Sequence, residues 1–256
     1  MTHTLTIIIP VYNEEGNILR VEKEVQKYID IASIPVKALF VNDGSSDSSL
    51  KLIKEVVSKN SNFHYLSFNQ NYGLSSAIKA SFDHVRTSLV GYIDSDLQTS
   101  PMDFGLLLAE IEDHELVTGV RSNRKDSFKK NLTSKIANTI RRTFTDDGMD
   151  DTGCPLKIIK TEYAQRIPMF KGLHRFLPAM ILLQKGRIKQ VPIKHFPRTA
   201  GTPKFGLRNR LIKPLFDCFA YLWMKKSYIN YQTSHPATSA GAVKSPVEEN
   251  TEILPN

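Results

Sequence analysis

Asp94, Asp96 and Gln98 stand at alternate positions in the stretch GYIDSDLQTSP (91–101). An apolar run that ends in two carboxylates one residue apart is costly unless something there needs negative charge. A divalent cation meets that need. Mg²⁺ and Mn²⁺ take hard oxygen ligands, commonly one or two carboxylates, with phosphates and waters in the remaining positions. In an extended segment residues 94, 96 and 98 project to one side, so two carboxylates and the Gln98 amide oxygen are expected to face one ion. A pair of turn-forming aspartates is the plain alternative. A phosphatase-type nucleophile pair would want DxDx[TV] after the first strand, whereas here the pair follows a later strand and position 98 is Gln. A cation bridging a diphosphate fits better. It would act as a Lewis acid for a diphosphate leaving group, and the chemistry would be transfer of whatever that diphosphate carries.

Such a site needs a scaffold, and the chain supplies one in alternating texture. TLTIIIPVY, VKALFVND, HYLSF, SLVGYIDSD and HELVTGV are β-rich runs. Between them lie the helix-like EEGNILRVEKEVQKYIDI, SDSSLKLIKEVVSKN, GLSSAIKASFDHV and PMDFGLLLAEIED. Apolar strands bounded by amphipathic helices predict successive βα units on a mostly parallel, Rossmann-like sheet with both faces covered. Function in such α/β sheets sits at the carboxyl ends of the strands. There lie PVYNEE (10–15), NDGSSD (42–47), NQNYG (69–73), DSDLQ (94–98) and GVRSN (119–123), all expected to face one crevice. Asp43 to Ser46 and Ser100-Pro101 also have an ordinary role as helix starts. Asp43 is a candidate acceptor for a base or ribose, and Tyr12 a candidate for stacking on a flat ring. A dinucleotide-binding dehydrogenase is disfavoured, because no G-x-G-x-x-G follows the first strand.

A length of 256 residues suits one large α/β domain with an appendage. The net charge of +8 favours an anionic partner: nucleic acid, phosphorylated metabolites or an acidic membrane surface. Nucleic acid is disfavoured, since the basic segments carry no recognisable nucleic-acid motif and an acidic crevice repels phosphate when no metal is bound. Cys154 and Cys218 make neither metal-ligand spacing nor a disulfide framework, which points to reduced cytosol. The N-terminal apolar run lacks a basic leader and a cleavage site. No run reaches the roughly 18 uninterrupted apolar residues of a spanning helix.

Past residue 124 come the basic segment KDSFKKNLTSKIANTIRRTF, the acidic loop TDDGMDDTGCP, the strand-like CPLKIIK, a strongly apolar helix GLHRFLPAMILLQKG and a strand IKQVPIKHFPR. Residues 185–213 hold nine Lys or Arg and no acid. The organisation expected is a catalytic domain over 1–205, an amphipathic helical segment over 206–231 and a polar, Pro-containing disordered tail over 232–256.

IIIPVYNEEGNI, VNDGSSD, NQNYGLSSAI, DSDLQTSP and RTAGTPKFG, in this order, resemble the family 2 glycosyltransferases with the nucleotide-sugar-binding GT-A fold. Within them the chain is most similar to polyprenyl-phosphate sugar transferases of the dolichol-phosphate mannosyltransferase type. The resemblance implies nucleotide contacts from Pro10, Tyr12, Glu14, Val41 and Asp43. It implies Asp94, Ser95 and Asp96 near the diphosphate, with Asp96 and Gln98 as direct metal ligands. Arg121, Arg198 and Lys204 are implied as phosphate-binding cations, with His174 and Arg175 as further candidates on the acceptor side. Pro203 stands where the family usually has Ser, which removes a hydroxyl contact. Asp151 lies where the family often keeps an acceptor-side acid and is named as a candidate base. The donor is a nucleotide sugar such as GDP-mannose or a UDP-sugar, the cofactor Mg²⁺ or Mn²⁺, and the acceptor undecaprenyl or dolichyl phosphate. The alternative acceptor is a glycan or other soluble molecule in cell-surface polysaccharide synthesis.

A lipid acceptor also suits FGLRNRLIKPLFDCFAYLWMKKSY, where Leu211, Leu215, Phe219 and Leu222 recur at helical spacing and Trp223 and Tyr228 stand beside Lys225 and Lys226. That pattern predicts a helix lying in a bilayer interface, against the alternative of a core-packing helix. Peripheral attachment to the cytosolic face of a membrane follows as an expectation, with the oligomeric state left open.

Overall fold

The computed structural model describes residues 3–121, 144–145, 147–197 and 207–229. Seven strands form one sheet: β1 (Leu5–Val11), β2 (Val36–Asn42), β3 (Phe63–Ser67), β4 (Leu89–Tyr92), β5 (Leu116–Arg121), β6 (Lys157–Lys160) and β7 (Ile188–Ile193). Their order is β3-β2-β1-β4-β6-β5-β7. Only β6 runs antiparallel to its neighbours, so the carboxyl ends of the other six strands and the start of β6 share one edge.

The helices α1 (Ile18–Ile31), α2 (Ser49–Lys59), α3 (Leu74–His84), α4 (Phe104–Leu108), α5 (Thr161–Gln165), α6 (Leu177–Leu183) and α7 (Leu207–Ser227) cover the two faces. Strand β1 is apolar at nearly every position because both faces are buried, which is the pattern of a parallel sheet. Ile7 and Ile9 point into one core with Val21 and Val25 of α1, while Ile8 points into the other with Ile78 and Phe82 of α3. Pro10 lies in this central strand just past the last β1–β4 pair, Ile8 opposite Tyr92, so the N–H it lacks falls where that ladder is ending.

Two helical runs are shorter than the sequence suggests. PMDFGLLLAEIED resolves into a 3₁₀ turn (Pro101–Asp103) and the five-residue α4, because Glu110 and Ile111 bond back only three residues. GLHRFLPAMILLQKG likewise splits into a 3₁₀ turn (Leu173–Phe176) and α6.

α7 takes an unexpected phase. Cys218, Tyr221 and Met224 are the residues it buries in the second core, with Tyr221 stacked on Phe176 at 5.6 Å between ring centroids. Phe216, Phe219 and Trp223 face outward at 70%, 60% and 71% exposure. Among the described residues helix α7 is therefore core on one side and an exposed apolar stripe on the other, with Phe219 edge-on to Phe144 at 5.6 Å between ring centroids. It docks where Gly172, at φ 102°, lets the chain pass under Asp217: a Cβ there would lie 2.4 Å from Asp217 Oδ2.

Candidate active site

The edge has two halves. Under β1, β2 and β3 the loops are sewn together by side chains that accept from backbone N–H groups. Asn13, in the left-handed region at φ 51°, accepts from Ser46 N at 2.8 Å through Oδ1 and donates from its own N to Ser45 Oγ at 3.0 Å. Glu15 Oε2 accepts from Ser48 N, and Glu15 N donates to Asp47 Oδ2. Asp43 is 4% exposed, and its carboxylate accepts from Tyr72 N at 2.7 Å, from Gly73 N at 2.9 Å and from Asn71 Nδ2 at 2.9 Å. Burial pushes its pKa up while those two backbone donors pull it down. Gly44 is obligatory beside it, because a Cβ would stand 2.2 Å from the backbone carbon of Gln70.

This geometry revises three expectations about nucleotide contacts. Val41 is fully buried within β2, with its side chain in the second core, so the side chain is not at the edge. Pro10 is likewise a buried strand residue. Asp43 spends its carboxylate on the 71–73 loop and so shapes the pocket wall. Tyr12 does emerge at the edge, 37% exposed, and Tyr72, on the loop that Asp43 braces, is 46% exposed. Glu14 accepts from Asn17 Nδ2 at 2.7 Å.

Under β4, β6 and β5 the picture is one of charge against charge. The chain leaves β4 in a tight turn: Leu97 N donates to Asp94 O, and Leu97 lies at φ 49° although its side chain is buried. The extended projection of residues 94, 96 and 98 is therefore incorrect. A turn brings the carboxylates together, with Gln98 N donating to Asp96 Oδ1 at 3.2 Å. A non-glycine residue held in the left-handed region stores about 1–3 kcal/mol and needs a packed surround to persist. Ser95 and Asp96 are each 7% exposed. Tyr92 O–H donates to Asp94 Oδ1 at 2.6 Å. Removal from water, with the Asp96 charge beside it, pushes the Asp94 carboxyl up to about 6.

Facing this turn, Arg121 at the end of β5 forks onto Asp151, Nε to Oδ2 at 2.7 Å and Nη2 to Oδ1 at 2.8 Å. The pair is nearly dry, with side-chain exposures of 14% and 9%. Asp151 thus enters as the partner of Arg121, which limits its availability as the base expected from its position. Lys157, the first residue of β6, is 1% exposed and completes the cluster. Sequence reasoning missed Lys157 and Tyr92; the one signal for Lys157 was a lone cation inside the otherwise apolar PLKII.

His174 and Arg175 do not join this cluster as cations. His174 Nδ1 is hydrogen-bonded to Ser75 Oγ at 2.8 Å, and burial, with Arg175 and Lys157 adding like charge, holds its pKa at about 3. Arg175 pairs with Asp217 of α7 at 3.4 Å. Arg198 and Lys204 lie outside the described residues, as do most of the basic segment after residue 124 and the tail over 232–256.

Among the described residues no cluster of three or more His, Cys, Asp or Glu forms a ready metal site. The donor set at the turn is two carboxylates with the Gln98 amide nearby. A buried Asp94 carboxyl of raised pKa with the Asp96 charge beside it is what a hard divalent cation would relieve, so the residues fit Mg²⁺ or Mn²⁺ with phosphate and water completing its shell.

The model of the family described as glycosyl transferase family 2 matches residues 6–167, more than half of the chain. The chain belongs to that family. A curated relative, the undecaprenyl-phosphate 4-deoxy-4-formamido-L-arabinose transferase of Edwardsiella ictaluri (strain 93-146), is 29% identical over 215 residues. The match takes in 83% of this chain and 66% of that relative's length. Solved structures carry the same fold. The glucosyl-3-phosphoglycerate synthase of Mycobacterium tuberculosis with phosphoglyceric acid has a TM-score of 0.68 at 16% identity, over 89% of this chain and 81% of that one. A mannosyltransferase of Pyrobaculum calidifontis with GDP-Man and Mn²⁺ gives 0.59 at 16% identity, over 86% and 64%. The fold of this family 2 glycosyltransferase is accordingly the GT-A type, a mostly parallel sheet flanked by helices.

Proposed function

We propose that this family 2 glycosyltransferase moves a hexose from a nucleotide sugar to a polyprenyl phosphate, with inversion at the anomeric carbon and dependence on Mg²⁺ or Mn²⁺. The observation that carries the reading is the Asp94–Asp96 turn at the carboxyl edge, within electrostatic reach of the Arg121–Asp151 pair. Asp94 and Asp96, with Gln98, would hold the cation, which as a Lewis acid neutralises charge on the departing diphosphate. Tyr12 and the Asp43-braced loop would receive the nucleoside, with Glu14 at that wall and Pro10 and Val41 supporting it from within the strands.

The acceptor phosphate, whose second pKa is about 6, is already largely dianionic near neutral pH. One of its oxygens attacks the anomeric carbon, the bond from that carbon to the diphosphate oxygen breaks, and the nucleoside diphosphate leaves with the electron pair. A strong base is then unnecessary. Asp151 serves by holding the Arg121 guanidinium aimed, and Arg121, Arg198 and Lys204 orient phosphate.

The curated relative is named for a lipid phosphate acceptor, and α7 gives that acceptor a route. Phe216, Phe219 and Trp223 form an exposed stripe near the exposed Lys225 and Lys226, which matches the apolar and anionic layers of a bilayer interface. No helix among the described residues is long and apolar enough to cross a membrane. The placement proposed is peripheral, on the cytosolic face.

The test incubates the purified protein and Mg²⁺ or Mn²⁺ with a panel of nucleotide sugars and either a short polyprenyl phosphate or soluble glycan acceptors. Mass spectrometry should find a glycolipid phosphate. Product with soluble acceptors alone would move the assignment to polysaccharide synthesis. Replacing Phe216, Phe219 and Trp223 together by Ser should abolish vesicle binding while transfer to a water-soluble short-chain acceptor persists.

A further inference from the structure

A lysine that is 1% exposed, with no carboxylate among its hydrogen-bond partners, is an expensive thing to keep in a fold. The Lys157 ammonium donates to the carbonyl oxygens of Cys154 and, at 3.4 Å, of Thr152. Those two carbonyls belong to the short loop 151–154, which is closed by Cys154 N donating to Asp151 O. Asp151 heads that loop and forks onto Arg121, while Gly153 stands so close to the guanidinium that a Cβ there would be 3.2 Å from Nη2. Removing Lys157 would leave two buried carbonyls short of a donor and the loop without its anchor to the sheet.

We propose that Lys157 is a positioning residue for transfer: from the start of β6 its ammonium pins the 151–154 loop, so that Asp151 holds Arg121 facing the Asp94–Asp96 turn. Burial pulls the Lys157 pKa down, and the nearby Asp94 pulls it up while Lys157 in turn favours the Asp94 carboxylate. The inference rests on the proposed transfer reaction for its kinetic consequence, but its structural half stands independently of the substrate.

Two measurements on the full chain test it. In hydrogen exchange, Lys157→Met should speed the amides of residues 151–154 and 156 by about tenfold or more while those of α2 keep their protection. Lys157→Arg, which retains a cation able to reach carbonyl oxygens, should stay near the wild type. In steady-state transfer, Lys157→Met should lower kcat by about tenfold or more, leave the donor KM within about threefold, and be partly rescued by Lys157→Arg. Combined with Asp151→Asn, the losses should overlap, the double variant being at least about threefold more active than independent effects would make it. Unchanged exchange, exchange accelerated equally everywhere, or losses that simply multiply would overturn the proposal. Should Lys157→Met fail to fold, Lys157→Gln, whose uncharged amide is one bond shorter and reaches the carbonyls less well, replaces it with changes in the same direction but smaller than those expected of Met. Absence of transfer by the wild-type protein would defeat the proposed function, and the exchange pattern would still decide the role of Lys157.

Discussion

The two halves of the catalytic edge use acidic residues in opposite ways. Under β1 to β3, Asp43, Asp47 and Glu15 spend their oxygens on backbone N–H groups, so that carboxylates act as braces for loops. Under β4 to β6, Asp94 and Asp96 crowd each other, and the cations Arg121 and Lys157 are gathered nearby. The difference teaches which half is finished by folding alone. A carboxylate satisfied by N–H donors is part of the scaffold, whereas Asp94, buried beside a second carboxylate and pushed toward protonation, is a place for a further positive charge.

The largest effect on the fold should come from breaking the charged half. Asp151→Asn leaves the Arg121 guanidinium buried with a neutral partner, and removal of one member of a buried pair costs about 3–5 kcal/mol. Chemical denaturation should record a loss in that range, and a change below about 1 kcal/mol would mean that water already screens the pair. Next comes the braced half. Asp43→Asn weakens charge-assisted bonds from Tyr72 and Gly73, each worth about 1.5–3 kcal/mol. The donor KM should rise with little change in kcat, and a change in kcat alone would move Asp43 into the reaction itself.

The smallest effect tests how each half answers pH. His174 stays neutral in the folded state, with a pKa of about 3 against about 6.5 when unfolded, so below the unfolded value the unfolded chain takes up the extra proton. The stability tied to neutral His174 is present above pH of about 6.5 and drains away as pH falls from there toward 3. Between about pH 7 and about pH 5 the wild type should therefore lose more stability than His174→Gln. Equal losses would show that the imidazole is solvated.

Much of this was legible in the sequence. The alternation of β-rich and amphipathic runs placed the strands and their carboxyl ends, because strands buried on both faces read as continuous apolar runs. The reversed direction of β6 was not legible, since KIIK carries no polarity signal. The DSDLQ turn was misread as extended: alternate spacing suggests a strand, and nothing local announces a leucine in the left-handed region. The phase of α7 was lost because apolar residues occupy both of its faces, so periodicity alone could not say whether Tyr221 or Phe219 faces the core. Lys157 escaped notice because a lysine in a strand is ordinarily taken as an edge or surface residue, and only the topology puts it inside.

The central claim is that the Asp94–Asp96 turn holds a divalent cation on which the donor diphosphate is received. Titration of Mn²⁺ followed by electron paramagnetic resonance, with and without UDP or GDP, tests it most directly. In the wild type a nucleoside diphosphate should tighten Mn²⁺ binding by about tenfold or more, as linkage between two ligands that share contacts requires. Asp96→Asn, with an unchanged circular dichroism spectrum, should abolish that coupling. Mn²⁺ bound equally well by both proteins, or indifferent to the nucleotide, would contradict the account.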